Sequence, residues 1–198
     1  MLPPNLPGYA RYCSYPHNLA RARQLAAASG TVGQTVTVAA GPSNGPQSAY
    51  LVSVLQSLGY KARLETFKNR DKYRATVLSG RRYQTAPIGW FADYPSSSQF
   101  FTPVFTCATA HQPLGVNFNY AGFCDPRIDR QIDRATTLQI NDPLAAAALW
   151  SKLDRDVMHQ APWVPVGNRQ EVDFVSRRVG NYQFNPQWGP LFDQMWVR

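Results

Sequence analysis

The sequence predicts an α/β fold, and three observations carry that prediction. Between residues 35 and 88, apolar runs of strand length alternate with stretches whose apolar residues recur at helical spacing. Glycine and proline clusters fall at the boundaries between them, at Gly30, at Gly41-Pro42 and at Gly59. Two Asp-Pro pairs, Asp125-Pro126 and Asp142-Pro143, each open a further helical stretch, because Asp caps a helix and Pro fits its first turn. With 198 residues and 44% hydrophobic content, the chain is long enough to bury a sizeable core.

Residues 1–16 hold four prolines and no regular period, so residues 1–17 are expected to run as an extended connector. Leu19, Ala22, Leu25 and Ala26 then share a helix face, with Asn18 as N-cap and Gly30 as terminator. Thr35 to Ala40 is a strand by composition and is broken by Gly41-Pro42-Ser43-Asn44-Gly45-Pro46. Tyr50, Leu51, Val54, Leu55 and Leu58 form the stripe of a second helix ending at Gly59, and Lys61 to Phe67 alternates as a half-exposed strand. Tyr73, Val77 and Leu78 predict a short helix before a turn at Arg81-Arg82. Tyr83 to Ile88 reads as a third strand, with Pro87 marking it as an edge or a bulge. Beyond Asp125, Ile128, Ile132 and Ala135 line one helix, while Ala146, Leu149, Trp150, Leu153 and Val157 line the next, which stops before Pro162. Trp163 to Gly167 and Val172 to Val175 are expected as short strands.

The third strand leads into Gly89-Trp90-Phe91-Ala92-Asp93-Tyr94-Pro95, where one acid sits among aromatics. In open α/β sheets ligands collect beyond the carboxyl ends of strands, so a carboxylate there is placed to meet a cation. The competing reading is a turn-capping aspartate whose aromatic neighbours pack inward. The string resembles the Gly-Trp-x-Ala-Asp-Tyr-Pro segment of the extracellular solute-binding proteins of the oligopeptide, dipeptide and nickel transport family, with six of seven positions matching. The likeness extends to Leu2-Pro3-Pro4 with Pro7-Gly8-Tyr9, to the helix around Ala20–Gly30, to Phe118–Asp129, and to Asp173 through Val179.

Members of that family are much longer, and these motifs belong to their C-terminal portion. The resemblance therefore implies the C-terminal lobe of a type II periplasmic-binding-protein-like fold, a mixed sheet flanked by helices. Residues 18–168 would form the solute-binding lobe, and residues 169–198 would return toward an N-terminal lobe elsewhere in the same protein. It also implies a peptide or other amine-bearing solute as ligand, an ABC-transporter permease as partner, an extracellular or periplasmic location with a lipid anchor, no cofactor and no enzyme activity. By this likeness Asp93 accepts the ligand's amino group, with Trp90, Tyr94, Gly89, Phe91, Ser43 and Asn44 as further ligand contacts. Two departures stand out. Ser96-Ser97 replaces the usual Asp-Pro, and Ala40-Gly41-Pro42-Ser43 lacks the arginine that dipeptide binders use for the ligand carboxylate, so a dipeptide is not the favoured ligand.

Gly41-Pro42-Ser43-Asn44-Gly45 also fits a nucleophile-elbow pattern between strand and helix, with Asp93 or Asp154 and His159 available as partners. Pro42 before the serine and the helical setting of His159 weigh against a serine hydrolase. His17, His111 and His159 are too scattered for a metal site. The net charge of +8 is dispersed rather than gathered into a run, which argues against nucleic acid as partner. Asp125, Asp129 and Asp133, interleaved with Arg127, Arg130 and Arg134, are expected to form a solvated helix face. Of three cysteines, Cys107 and Cys124 bracket one loop and are expected to pair, implying an oxidising compartment; the alternative is that both are reduced and buried.

Overall fold

Helices outnumber strands in the computed structural model, which describes residues 1–78, 83–112 and 118–198. The predicted Arg81-Arg82 turn lies outside the described residues. Contacts divide the chain into two units, one of Met1–Ser14, Trp90–Ala110 and Ala121–Arg198, the other of Tyr15–Gly89 and His111–Tyr120.

The second unit holds the predicted crossover. Helix α1 (Leu19–Ala28) starts at Asn18, whose side chain accepts the Arg21 N–H, and the chain leaves it through Gly30 at φ +70°. Strand β1 (Thr35–Ala40) pairs in parallel with β2 (Lys61–Thr66), from Thr35 opposite Lys61 to Ala40 opposite Thr66, across helix α2 (Gly45–Ser57). Helix α3 (Arg70–Leu78) follows, and Ala39, Phe67 and Tyr73 form the small core of this unit. Leu25 and Tyr50, expected on buried helix faces, are 52% and 71% exposed; the side chains that α1 and α2 bury are those of Ala26 and Ser48.

The predicted third strand is reduced to a single bridge. Val38 pairs with Thr85, and the Ala39 N–H donates to the Thr85 carbonyl at 3.1 Å. On either side, side chains replace the ladder. The Gln84 amide oxygen accepts the Thr37 N–H at 2.8 Å, while Pro87 has no N–H and its carbonyl is taken by Asn44 and Tyr73.

The first unit is mainly helical. Helix α4 (Ser98–Phe105), a short turn α5 (Cys107–Ala110), α6 (Pro126–Asn141) and α7 (Pro143–Gln160) surround a core in which Trp150 stacks on Phe101 at 5.5 Å. Phe105 meets Phe123 and Trp163 edge-on beside them. Asp125 and Asp142 cap α6 and α7 through the N–H groups of Arg127 and Ala145. Residues 1–17 form no helix or strand, and Leu2 and Leu6, 2% and 4% exposed, pack this connector into the core. The Asp series of α6 is not simply solvated. Asp125 is buried and bonded to Arg127 and Gln160, Asp129 accepts the Cys107 N–H, and only Asp133 faces water. Cys107 and Cys124 form a disulfide with their Cα atoms 4.3 Å apart.

The expected strands at 163–167 and 172–175 are not formed. Val164, Val166, Val172 and Phe174 are 75% to 99% exposed, and no strand pairs with them among the described residues. A strand needs a ladder partner, and Pro162 and Pro165 also remove donors. The chain ends in two small antiparallel pairs, β3 (Val179–Gly180) with β6 (Trp196–Val197) and β4 (Phe184–Asn185) with β5 (Gly189–Pro190).

Candidate functional site

Residues 90–95 carry no regular secondary structure, yet their backbone is held at several points. The first hold originates in Pro103, inside α4. Proline has no N–H to give the carbonyl four residues back, so the Gln99 carbonyl is left without its helical donor. The Trp90 indole N–H fills that place at 2.7 Å. The Gln99 side chain in turn accepts the Asp93 N–H at 3.4 Å.

The other holds come from far along the chain. The Gln187 amide donates to the Ala92 carbonyl, and the Trp188 indole N–H donates to the Asp93 carbonyl at 3.0 Å across 95 residues. Ala92 is 2% exposed, whereas Phe91, Asp93 and Tyr94 are exposed. Both backbone groups of Asp93 are thus engaged, while no hydrogen bond or ion pair to its carboxylate is found among the described residues. The turn-capping reading of Asp93 therefore fails. The carboxylate faces solvent, on a loop with a fixed backbone, and is free to accept a donor.

Downstream, the Ser-Ser departure has a structural reason. Ser96 and Ser97 are buried, Ser97 donates to the Pro7 carbonyl, and the Ser96 hydroxyl bonds Ser98 at 2.8 Å and Gln139 at 3.1 Å. Gln139 also accepts the Trp150 indole N–H at 3.2 Å, which joins the loop to the core. Hydroxyls here supply buried donors and acceptors that a proline could not.

Gly89, Ser43 and Asn44 lie in the second unit. Asn44 is spent on structure, accepting the Gly41 N–H at 2.7 Å and donating to the Pro87 carbonyl at 3.1 Å. The Tyr73 hydroxyl donates to the same carbonyl at 2.5 Å, and burial raises its pKa, so it stays a neutral donor. Ser43 is exposed, and its hydroxyl makes no hydrogen bond among the described residues. The hydrolase reading therefore gains no support, since its nucleophile has no base in contact. Among the described residues no three His, Cys, Asp or Glu side chains gather as metal ligands, and no helix is long and apolar enough to cross a membrane. The sequence reading missed Gln99, Gln187 and Trp188. Pro103 was the one local signal that a helical carbonyl near Trp90 would be free.

Known proteins agree with this architecture. The chain is 26% identical over 190 residues to "Probable di/tripeptide-binding protein 5" of Pseudomonas aeruginosa, covering 93% of this chain and 35% of that protein. It is 24% identical over 202 residues to the glutathione-binding protein GsiB of Salmonella typhimurium, covering 98% and 38%. Among solved structures, clavulanic acid biosynthesis oligopeptide binding protein 2 superposes with a TM-score of 0.86 at 23% identity, over 98% of this chain and 37% of that one. Burkholderia pseudomallei OppA gives 0.70 at 26% identity, over 92% and 36%. No family model matches the chain. The chain spans about a third of the length of the curated relatives it matches. It is similar over nearly its whole length to the solute-binding proteins of peptide-class ABC transporters, as its motifs imply, and its fold is the α/β fold of type II periplasmic binding proteins. These relatives are named as binding proteins and not as enzymes.

Proposed function

We propose that this chain is part of an ABC-transporter solute-binding protein that captures peptides or another amine-bearing solute outside the cytoplasm, and that the Asp93 carboxylate receives the ligand's α-amino group. The observation that carries the proposal is the exposed, unpartnered carboxylate of Asp93 on a loop whose backbone is tied at both its N–H and its carbonyl. A fixed acceptor loses little freedom when it binds, and its attraction to an ammonium grows as aromatic walls displace competing water. Trp90, Phe91 and Tyr94 supply those walls. Gly89, Ser43 and Asn44 stay as candidate contacts, to be judged by substitution in the full-length protein. The loop after β1 has no arginine for a ligand carboxylate, which favours peptides longer than two residues.

In this proposal residues 18–168 act as a solute-binding lobe, and a second lobe of the same protein closes over the ligand. Residues 169–198 return toward that lobe in this reading, and its surface would cover apolar side chains that stand in water here, such as Val172 and Phe174. A permease receives the closed form, and a lipid anchors the protein at the cell surface. Titration of free-amine tripeptides tests the reading. The full-length protein binds them saturably, while the 198-residue chain binds weakly or not at all, because association costs on the order of 4–15 kcal/mol of lost freedom that half a contact surface does not offset. Equal affinity in both would sink the two-lobe reading, and failure of the full-length protein to bind any amine-bearing peptide would sink the peptide reading.

A further inference from the structure

We propose that Trp188 is part of the solute site, where its indole N–H fixes the backbone of Asp93 and its exposed ring forms the wall that receives the ligand's first side chain. The inference rests on Asp93 as the acceptor of the ligand's amine. Trp188 is 72% exposed, unusual for the largest apolar side chain. It is nevertheless held in place. The Asn185 side chain accepts the N–H groups of both Gln187 and Trp188, at 2.8 and 3.2 Å, which folds the tip between β4 and β5. Gly189 turns the chain back at φ +77°. The tip therefore presents two successive side chains, Gln187 and Trp188, to two successive carbonyls, those of Ala92 and Asp93.

An indole carries one N–H and no other polar atom, so once that N–H is bonded to Asp93 the rest of the ring can offer only an apolar face. A rigid, wet aromatic face beside an unpaired carboxylate suits a ligand that carries an ammonium and an apolar group on adjacent atoms. The first residue of a peptide has that chemistry, with its side chain on the carbon next to the amino nitrogen. Ordering the ring before binding spares the entropy of fixing it later. The ligand class is thus a free-amine peptide with an aromatic or aliphatic first residue.

The test uses the full-length protein and its W188F, W188A and D93N variants. The probes are the tripeptides Phe-Ala-Ala and Ala-Ala-Ala, each free and N-acetylated, and hydrogen exchange of residues 91–95 is followed without ligand. W188F keeps a ring but loses the N–H. It is expected to speed exchange in 91–95 and to weaken free-amine peptides about 3- to 10-fold, the worth of one hydrogen bond, while acetylated ones are unaffected. W188A is expected in addition to abolish the preference for Phe over Ala in first position. Wild-type affinities, preference and exchange in both Trp188 variants would overturn the proposal. If D93N is silent while W188A loses the Phe preference, the ring wall stands and the Asp93 reading falls; the reverse pattern removes Trp188 and leaves Asp93. Should no tripeptide bind, unchanged exchange in W188F overturns the brace and faster exchange supports it.

Discussion

Replacing Gly8 by alanine should loosen the whole first unit, and the structure says by how much. Gly8 sits at φ +81°, and a Cβ built on it would lie 2.6 Å from the Trp150 Cβ, 2.7 Å from the Ala147 carbonyl oxygen and 3.1 Å from the Ser151 nitrogen. These are atoms of the α7 backbone and the root of a fully buried side chain, so none can swing away. The left-handed φ costs about 1–2 kcal/mol for alanine, and the forced separation of the N-terminal segment from α7 adds about 1–3 kcal/mol, the usual cost of overpacking. Gly8→Ala should therefore destabilise by about 2–5 kcal/mol. Gly189→Ala is the control, with φ +77° and nothing within 4 Å of its Cβ, and should lose only about 1–2 kcal/mol. All five tryptophans, at 90, 150, 163, 188 and 196, lie in this unit, so urea unfolding followed by tryptophan fluorescence reads it selectively. Equal losses in the two variants, within about 0.5 kcal/mol, would show that α7 yields and refute the argument.

Three further outcomes are expected. Reducing the Cys107–Cys124 bond, or replacing both by serine, should lower stability by roughly 3 kcal/mol, the chain-entropy worth of a loop with a separation of 17 residues; an unchanged urea midpoint under reductant would count against it. Pro103→Ala restores a helical donor to the Gln99 carbonyl, so it should displace the Trp90 indole and speed hydrogen exchange in residues 90–93; unaltered exchange would mean that Pro103 does not anchor Trp90. The Asp125 carboxyl is held well below the usual carboxylate range by hydrogen bonds from the Arg127 side chain and backbone, with Gln160 adding to them against burial. Its contribution to stability is complete above its unfolded pKa of about 3.9 and is lost as pH falls toward the lower folded value. Below about pH 4 the wild type should lose stability more steeply than Asp125→Asn, and parallel curves would show that Asp125 does not drive acid sensitivity.

What could be read from the residues was what local physics decides. Asn18, Asp125 and Asp142 cap helices through side chains within three residues, and Gly30 and Gly59 leave helices at positive φ, so these elements were legible in the chain. The third strand was not, because its apolar run says nothing of Gln84 and Asn44 bonding where a ladder would run. Helix α4 escaped notice because its N-terminus is a serine run without a side-chain cap bond and a proline stands inside it. Asp125 and Asp129 looked like a solvated stripe, since a charge pattern cannot reveal the Gln160 amide or the Cys107 N–H that meets each.

The candidate site divides in the same way. Asp93 and its aromatic neighbours are a contiguous string beyond a strand-like run, and the resemblance favoured a ligand-binding role for them over a turn cap. The parts that hold the string were invisible, because Gln187 and Trp188 approach from 95 residues away and no pattern links hairpin tip to loop. Ser96 and Ser97 read as a departure from the family's usual Asp-Pro. In the structure they bond Pro7 and Gln139 and tie the same loop to its core.

The central claim is that the Asp93 carboxylate receives an ammonium. Calorimetric titration of the full-length protein and its Asp93→Asn variant, with one tripeptide free and N-acetylated, tests it most directly. The account predicts that Asn costs the free-amine peptide about 10- to 100-fold in affinity, the worth of a hydrogen bond to a charged group, and leaves the acetylated peptide unchanged. Equal losses for both peptides, or none for either, would contradict it.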